Sequence, residues 1–87
     1  MRLNREEVKA SVLRTVQRVL KLEAEVDPEA DLRSLGLDSM KSVALIVDLE
    51  ETFGIIFDDD ELIFEYFSTC NKIVERVENK LLQKEAI

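Results

Sequence analysis

Residues 35–54 read LGLDSMKSVALIVDLEETFG, and a loop becomes an amphipathic helix within them. The helical period starts at Ser39 and stops at Phe53. Gly54 is well suited to the left-handed conformation that closes a helix. We predict that one face of this helix lies against a core, and that this face carries Ser42, Leu45, Ile46, Leu49 and Phe53.

A second face of the same helix is partly apolar and would be exposed in a small bundle. Small apolar patches with charges at their rim are typical of docking surfaces. We therefore predict a partner-binding surface made of Met40, Lys41, Ala44, Val47, Asp48 and Glu51. The alternative is that Val47 is an ordinary surface valine and that Met40 packs beside Leu37 in the core.

A helix is predicted on each side of this segment. Asn4 and Glu7 have the spacing of a capping box, and valines then recur at helical intervals, which predicts a first helix from Arg5 to Leu22. Thr69 or Ser68 can cap the last helix. The buried stripe of the last helix is predicted to be Ile73, Val74, Val77 and Leu81, and Lys80 and Lys84 would suit its negative C-terminal end.

The connections differ in length and character. Residues 25–38 form a long loop without helical period, and its three leucines, Leu32, Leu35 and Leu37, are spaced as if they attach it to the core. The acidic turn, residues 58–61, precedes a short helical turn that runs through Leu62, Ile63, Tyr66 and Phe67. We predict an all-α fold: a small four-helix bundle of three main helices and one short third helix, with a long first loop. One domain is expected over residues 1–87, with a folded core over about residues 4–83.

Composition excludes several functions. The net charge is −7, from 19 acidic and 12 basic residues, so the phosphates of a nucleic acid would be repelled. The chain has no histidine and one cysteine, which excludes a His-based triad, a Cys/His dyad, a zinc cluster and an internal disulfide. We expect no membrane insertion, a cytoplasmic location, and a monomer that is not itself an enzyme.

The pair Asp38-Ser39 stands where the loop becomes a helix. A phosphodiester on Ser39 would face free backbone N–H groups and the positive end of the helix dipole. Either residue could instead serve only as a helix cap, which is worth about 1 kcal/mol. The pair alone does not decide between these two interpretations.

The surrounding residues resemble the acyl and peptidyl carrier proteins. The resemblance is carried by Asp31-Leu32, Leu35 to Met40, Leu45, Leu49-Glu50-Glu51, Phe53-Gly54-Ile55, the acidic turn and the chain length. It implies that Ser39 receives 4′-phosphopantetheine from coenzyme A and that the thiol of this arm holds an acyl group as a thioester. It also implies that Asp38 contacts the modifying transferase, through the magnesium used in the transfer.

Lys41 and Ala44 depart from the fatty-acid carriers, in which these positions are typically acidic. The Asp38-Ser39-Met40 motif and the stretch Thr69 to Val74 are more similar to D-alanyl carriers and to stand-alone aminoacyl or peptidyl carriers. The resemblance therefore implies three kinds of partner: a phosphopantetheinyl transferase, an acyl or aminoacyl ligase or adenylating enzyme, and a downstream acceptor enzyme. We expect a role in natural-product biosynthesis, with cell-wall D-alanylation and fatty-acid carriage as alternatives.

Three other interpretations are weaker. An unmodified acidic helical adaptor would use the same exposed face without any group on Ser39. The acidic turn could attract divalent ions or act as paired carboxylates, but it lacks the alternating ligands and glycine of an EF-hand, and we expect it to be solvated. Cys70 could be a redox thiol, although its position beside Phe67 and Ile73 favours packing.

Overall fold

The computed structural model describes residues 4–85 and contains three α-helices. They are α1 (Arg5–Val19), α2 (Ser39–Phe53) and α3 (Cys70–Glu85), and two short 3-10 helices (Asp59–Glu61 and Phe64–Phe67) lie between α2 and α3. Residues 4–85 include no β-strand. The prediction of an all-helical fold is confirmed. Residues 1–3 and 86–87 of the predicted domain lie outside the described residues.

The first helix begins as predicted and ends earlier. The Asn4 side chain accepts a hydrogen bond from the Glu7 backbone N–H at 2.8 Å, so Asn4 is the N-cap. The helix ends at Val19 rather than at Leu22. Lys21 has a φ of 55°, in the left-handed region, and this conformation turns the chain out of the helix.

The core lies between the three α-helices. Each of them contributes a stripe of buried side chains at helical spacing. The stripes are Val8, Val12 and Val16 of α1, Leu45, Leu49 and Phe53 of α2, and Ile73, Val74 and Val77 of α3. Leu81 is partly buried against this core. Ser42 and Ile46, which the sequence placed in the core stripe of α2, are only half-buried because a groove lies beside them.

The long first loop is attached to the core as predicted. Leu32 and Leu37 are buried, and Leu35 packs partly buried against the core. The Leu32 backbone N–H donates to the Ser68 carbonyl at 2.9 Å, and the Asn71 N–H donates to the Pro28 carbonyl at 3.1 Å. These bonds hold the loop against the start of α3.

The predicted short third helix is two 3-10 helices, with Leu62 and Ile63 between them. Phe67 of the second one is buried and meets Phe57 edge-to-face, with ring centroids 5.4 Å apart. This pair of rings places the segment on the core. Leu62 and Ile63 remain exposed and form one wall of the groove beside α2.

The position of Lys80 corrects its assignment to the helix end, whereas Lys84 does lie in the last turn of α3. Lys80 is buried and its ammonium binds Glu61 and Asp58 of the acidic turn, so this turn is a partner of α3 and not simply a solvated loop. Lys84 donates to the Gly54 carbonyl at 3.0 Å, at the end of α2. Gly54 has a φ of 64°, which confirms the predicted left-handed cap.

Candidate functional site

The site is built at the N-terminus of α2. Asp38 has an extended backbone, and its Oδ1 accepts a hydrogen bond from the Lys41 N–H at 2.9 Å, so Asp38 is the N-cap. Ser39 is the first residue of the helix and is exposed. Asp38 therefore caps the helix. The Ser39 side chain lies at the positive end of α2 and is not needed for this cap.

A groove of about 430 Å³ opens beside Ser39. Its walls are α2 on one side and the segment between the two 3-10 helices on the other. Its lining is mainly apolar: Leu37, Leu45, Ile46, Leu62, Ile63, Phe64 and Phe67, with Arg33, Asp38, Ser39 and Ser42. A groove with such a lining suits a slender, partly apolar group.

Arg33 lies at this groove and contacts its far wall. The guanidinium carbon of Arg33 lies 4.0 Å from the centroid of the Phe64 ring, which is a cation–π contact. The long first loop and the second 3-10 helix therefore meet through these two side chains. No sequence pattern predicts this contact, because Arg33 stands in a loop without helical period.

The outward face of α2 is apolar and solvent-exposed. Met40 is 84% exposed, Val43 63% and Val47 46%, and Ala44 and Glu51 are exposed beside them. Met40 does not pack beside Leu37, which excludes the core alternative for this residue. Val43 was missing from the predicted surface, although its spacing from Met40 and Val47 is helical and places all three on one side of the helix.

Two residues of the predicted surface lie at its edge. Asp48 is half-buried and its carboxylate accepts from the Arg18 guanidinium of α1 at 2.7 Å. Lys41 is half-buried, and its ammonium lies near Gly36 of the first loop. The exposed face of α2 is therefore Met40, Val43, Ala44, Val47 and Glu51.

Cys70 and the acidic turn have structural roles in the described chain. Cys70 is buried, as predicted, and burial, with a smaller effect of Asp27, raises the pKa of its thiol to about 11. Its thiol is thus protonated at neutral pH.

Among residues 4–85 no group of three or more His, Cys, Asp or Glu side chains is arranged to hold a metal ion. No helix in that range has the length and apolar character needed to cross a membrane.

The chain matches known carrier proteins over most of its length. The profile of the family described as "phosphopantetheine attachment site" matches residues 10–77. An acyl carrier protein of Thermotoga maritima is 39% identical over 80 residues, covering 90% of this chain and 96% of that protein. A D-alanyl carrier protein of Lactococcus lactis subsp. cremoris is 44% identical over 55 residues, covering 62% of this chain and 70% of that protein.

A solved structure agrees with these matches. The carrier protein from Agrobacterium tumefaciens, in a crystal structure with AMP and an engineered Bradyrhizobium japonicum glycine:carrier protein ligase, aligns with a TM-score of 0.68 and 29% identity. The alignment covers 84% of this chain and 96% of that one.

The all-helical fold and these matches together define a small carrier protein. The chain belongs to the phosphopantetheine-binding family, whose members carry a covalently attached 4′-phosphopantetheine. Proteins of this kind hold acyl groups for other proteins and are not themselves enzymes.

Proposed function

We propose that this protein is an aminoacyl carrier whose phosphopantetheine arm is attached to Ser39. The observation that supports attachment to Ser39 most directly is the geometry of the α2 N-terminus, where Asp38 provides the cap and Ser39 is exposed beside a groove. The hydroxyl is accessible to a transferase, and the phosphodiester it forms would lie at the positive end of the helix. When bound, the arm supplies a thiol that holds the cargo as a thioester.

The protein itself positions the thioester and supplies no catalytic group. A thioester on a tethered arm is an activated donor that can be passed between partners without release, and the tether raises its effective concentration at each one. None of the site residues needs to act as an acid, a base or a nucleophile once the arm is loaded. In this proposal, Asp38 holds the start of α2 in place and is also a contact for the transferase.

Aminoacyl cargo and a ligase partner are supported by the relatives. The A. tumefaciens carrier protein is bound to a glycine ligase, and the L. lactis relative is a D-alanyl carrier. Lys41 and Ala44 make the start of α2 less acidic than in fatty-acid carriers. We place the protein in natural-product biosynthesis in the cytoplasm, with a phosphopantetheinyl transferase, an adenylating ligase and an acceptor enzyme as partners.

Acyl cargo is the second candidate, because the T. maritima relative is an acyl carrier protein. A loading experiment distinguishes the two. The modified protein is incubated with ATP and either an amino acid and a carrier-protein ligase, or a fatty acid and an acyl carrier protein synthetase. The intact mass is then measured. Addition of an aminoacyl group alone supports our proposal, and addition of a fatty acyl group alone would replace it.

We propose that the ligase binds the exposed face of α2. Met40, Val43 and Val47 provide the apolar part and Glu51 a charge at its edge. Lys41 lies at the border of this face. Lys41→Glu restores the acidic character of the fatty-acid carriers, so it should speed acylation by a fatty-acid enzyme and slow loading by the aminoacyl ligase, mainly through the on-rate.

A further inference from the structure

Arg33 of the first loop is one of the residues that line the groove beside Ser39. Its backbone N–H donates to the Asp31 carboxylate at 3.0 Å, and its carbonyl accepts from the Gly36 N–H at 3.1 Å. These two bonds fix the backbone of Arg33 in a turn. The guanidinium then lies 4.0 Å over the Phe64 ring, on the opposite wall.

The charges along the groove are few. Of the described residues that line it, Arg33 is the one cation and Asp38 the one anion, and the remaining lining is apolar or hydroxyl-bearing. One carboxylate oxygen of Asp38 already accepts the capping bond from the Lys41 N–H. The face of Phe64, which could otherwise receive a cation, is covered by the guanidinium of Arg33.

This arrangement treats two kinds of cargo differently. An uncharged acyl group would exchange water for an apolar surface in the groove, which is favourable. An aminoacyl group carries an ammonium, which would lose its hydration and be repelled by the guanidinium. Volume does not distinguish them, because the groove of about 430 Å³ is large for either group.

We propose that Arg33 is a specificity-determining residue that acts as a charge filter: it lets an uncharged acyl group enter the groove beside Ser39 and keeps an aminoacyl group in solvent. The inference rests on the proposed attachment of the arm to Ser39. Its consequence is that an aminoacyl thioester stays accessible to an acceptor enzyme without a conformational change in the carrier.

The test compares two cargoes of the same size. Glycyl and propionyl groups have the same number of heavy atoms and differ in charge, and each is installed by transferring the loaded arm from a coenzyme A thioester. The thioesters are cleaved with the uncharged nucleophile hydroxylamine, and intact mass gives the rate. Dividing the rate for the same thioester on free pantetheine by this rate gives a protection factor for each cargo.

The expected result has three parts. In the wild-type protein the propionyl thioester is protected and the glycyl thioester is not. In Arg33→Glu the protection of the glycyl thioester rises by about thirtyfold, because one repulsive interaction is replaced by one attractive interaction and each is worth about fivefold at about 4 Å in water, while propionyl protection changes little. Arg33→Met, which keeps the length of the side chain without its charge, should lie between the two.

Arg14→Glu is the matched control, because it changes the net charge by the same amount. Arg14 is exposed on α1 and lines a different groove, with Leu13 and Gln17, so both protection factors should equal those of the wild type. Circular dichroism of each variant checks that the fold is retained.

Equal glycyl protection in the wild type and Arg33→Glu would overturn the filter, and so would an unprotected propionyl thioester in the wild type. Failure of the proposed function is distinguishable from both. In that case the chain gains no arm from coenzyme A at all, and the filter is overturned together with the attachment site.

Discussion

The ammonium of Lys80 lies 2.9 Å from a carboxylate oxygen of Glu61, although the Lys80 side chain is only 8% exposed. A second carboxylate, that of Asp58, lies 3.1 Å away. The same turn is joined to α2, because the Phe57 N–H donates to the Glu50 carboxylate at 2.9 Å. Lys80 thereby fastens the first 3-10 helix to α3, and this helix leads directly into the wall of the groove.

Replacing Lys80 should be costly. Lys80→Ala leaves the half-buried Glu61 carboxylate without its partner, so we expect a loss of about 2–3 kcal/mol in the free energy of unfolding, moderated by the exposure of Asp58. Lys84→Ala is the control, since Lys84 is exposed and makes one hydrogen bond to Gly54; it should cost about 1 kcal/mol. Urea unfolding measures both, and equal losses would contradict the role of Lys80.

The same contact predicts a response to alkaline pH. The hydrogen bond to Glu61 is the main cause that raises the pKa of Lys80, and burial opposes it. Its contribution to stability is therefore complete below about pH 10.4, the value in the unfolded chain, and is lost as the pH rises through the higher folded pKa. Above about pH 10.4 the wild type should lose stability more steeply than Lys80→Met.

The thiol of Cys70 should be unreactive in the folded protein. Its pKa of about 11 means that the thiolate needed for reaction is almost absent at pH 8, and its side chain is buried. The unmodified protein should not react with a disulfide reagent until it is unfolded, whereas the protein with its arm should react with one equivalent. Rapid reaction of the folded, unmodified protein would contradict this assignment.

Cys70 also gives the protein a second pH response. The unfolded thiol loses its proton near pH 8.5, while the folded one keeps it to about pH 11. The folded state then binds more protons, so stability should fall between about pH 8.5 and 11. Cys70→Ala should flatten the stability profile in this range, and urea unfolding at each pH tests it.

Asp38 and Asn4 offer a comparison of two similar caps. Asp38 accepts from the Lys41 N–H at 2.9 Å and Asn4 from the Glu7 N–H at 2.8 Å. Each alanine variant should lose about 1 kcal/mol of stability. Only Asp38→Ala should also slow the transfer of the arm, because only Asp38 adjoins Ser39. Equal transfer rates for the two variants would restrict Asp38 to a structural role.

Much of the fold could be predicted from local signals. The caps at Asn4, Thr69 and Gly54 and the three apolar stripes follow from rules that act within one or two turns, and the Lys72 N–H does bond to Thr69. The early end of α1 could not be predicted, since a left-handed lysine at Lys21 has no distinctive sequence signal.

Charged pairs between distant parts of the chain could not be predicted. The sequence did not show that Arg18, thirty positions earlier in the chain, binds Asp48 at the edge of the predicted partner surface. Lys80 was assigned to the helix end, and its true partners lie in the acidic turn. Helical periodicity reports which face a residue occupies and not which charged residue another element brings to it.

The exposed face of α2 can be tested against another exposed apolar residue. Val47→Asp and Val43→Asp should each slow loading by the cognate ligase several-fold, because a charge would be buried at the interface, while the melting temperature stays nearly constant. Leu82→Asp is the control, since Leu82 is also 63% exposed but belongs to α3. A loading rate that falls equally in all three variants would mean that the ligase does not bind this face of α2 specifically.

The central claim is that Ser39 carries the arm, and intact mass spectrometry tests it most directly. After coexpression with a broad-specificity phosphopantetheinyl transferase, the wild type and Ser42→Ala should gain the mass of one phosphopantetheine, and Ser39→Ala should gain nothing. Ser42 is the matched control because it lines the same groove from the same helix, one turn further along. Circular dichroism should show a native fold for Ser39→Ala, since Ser39 is exposed and Asp38 supplies the cap. Modification of Ser39→Ala, at Ser42 or elsewhere, would contradict the account.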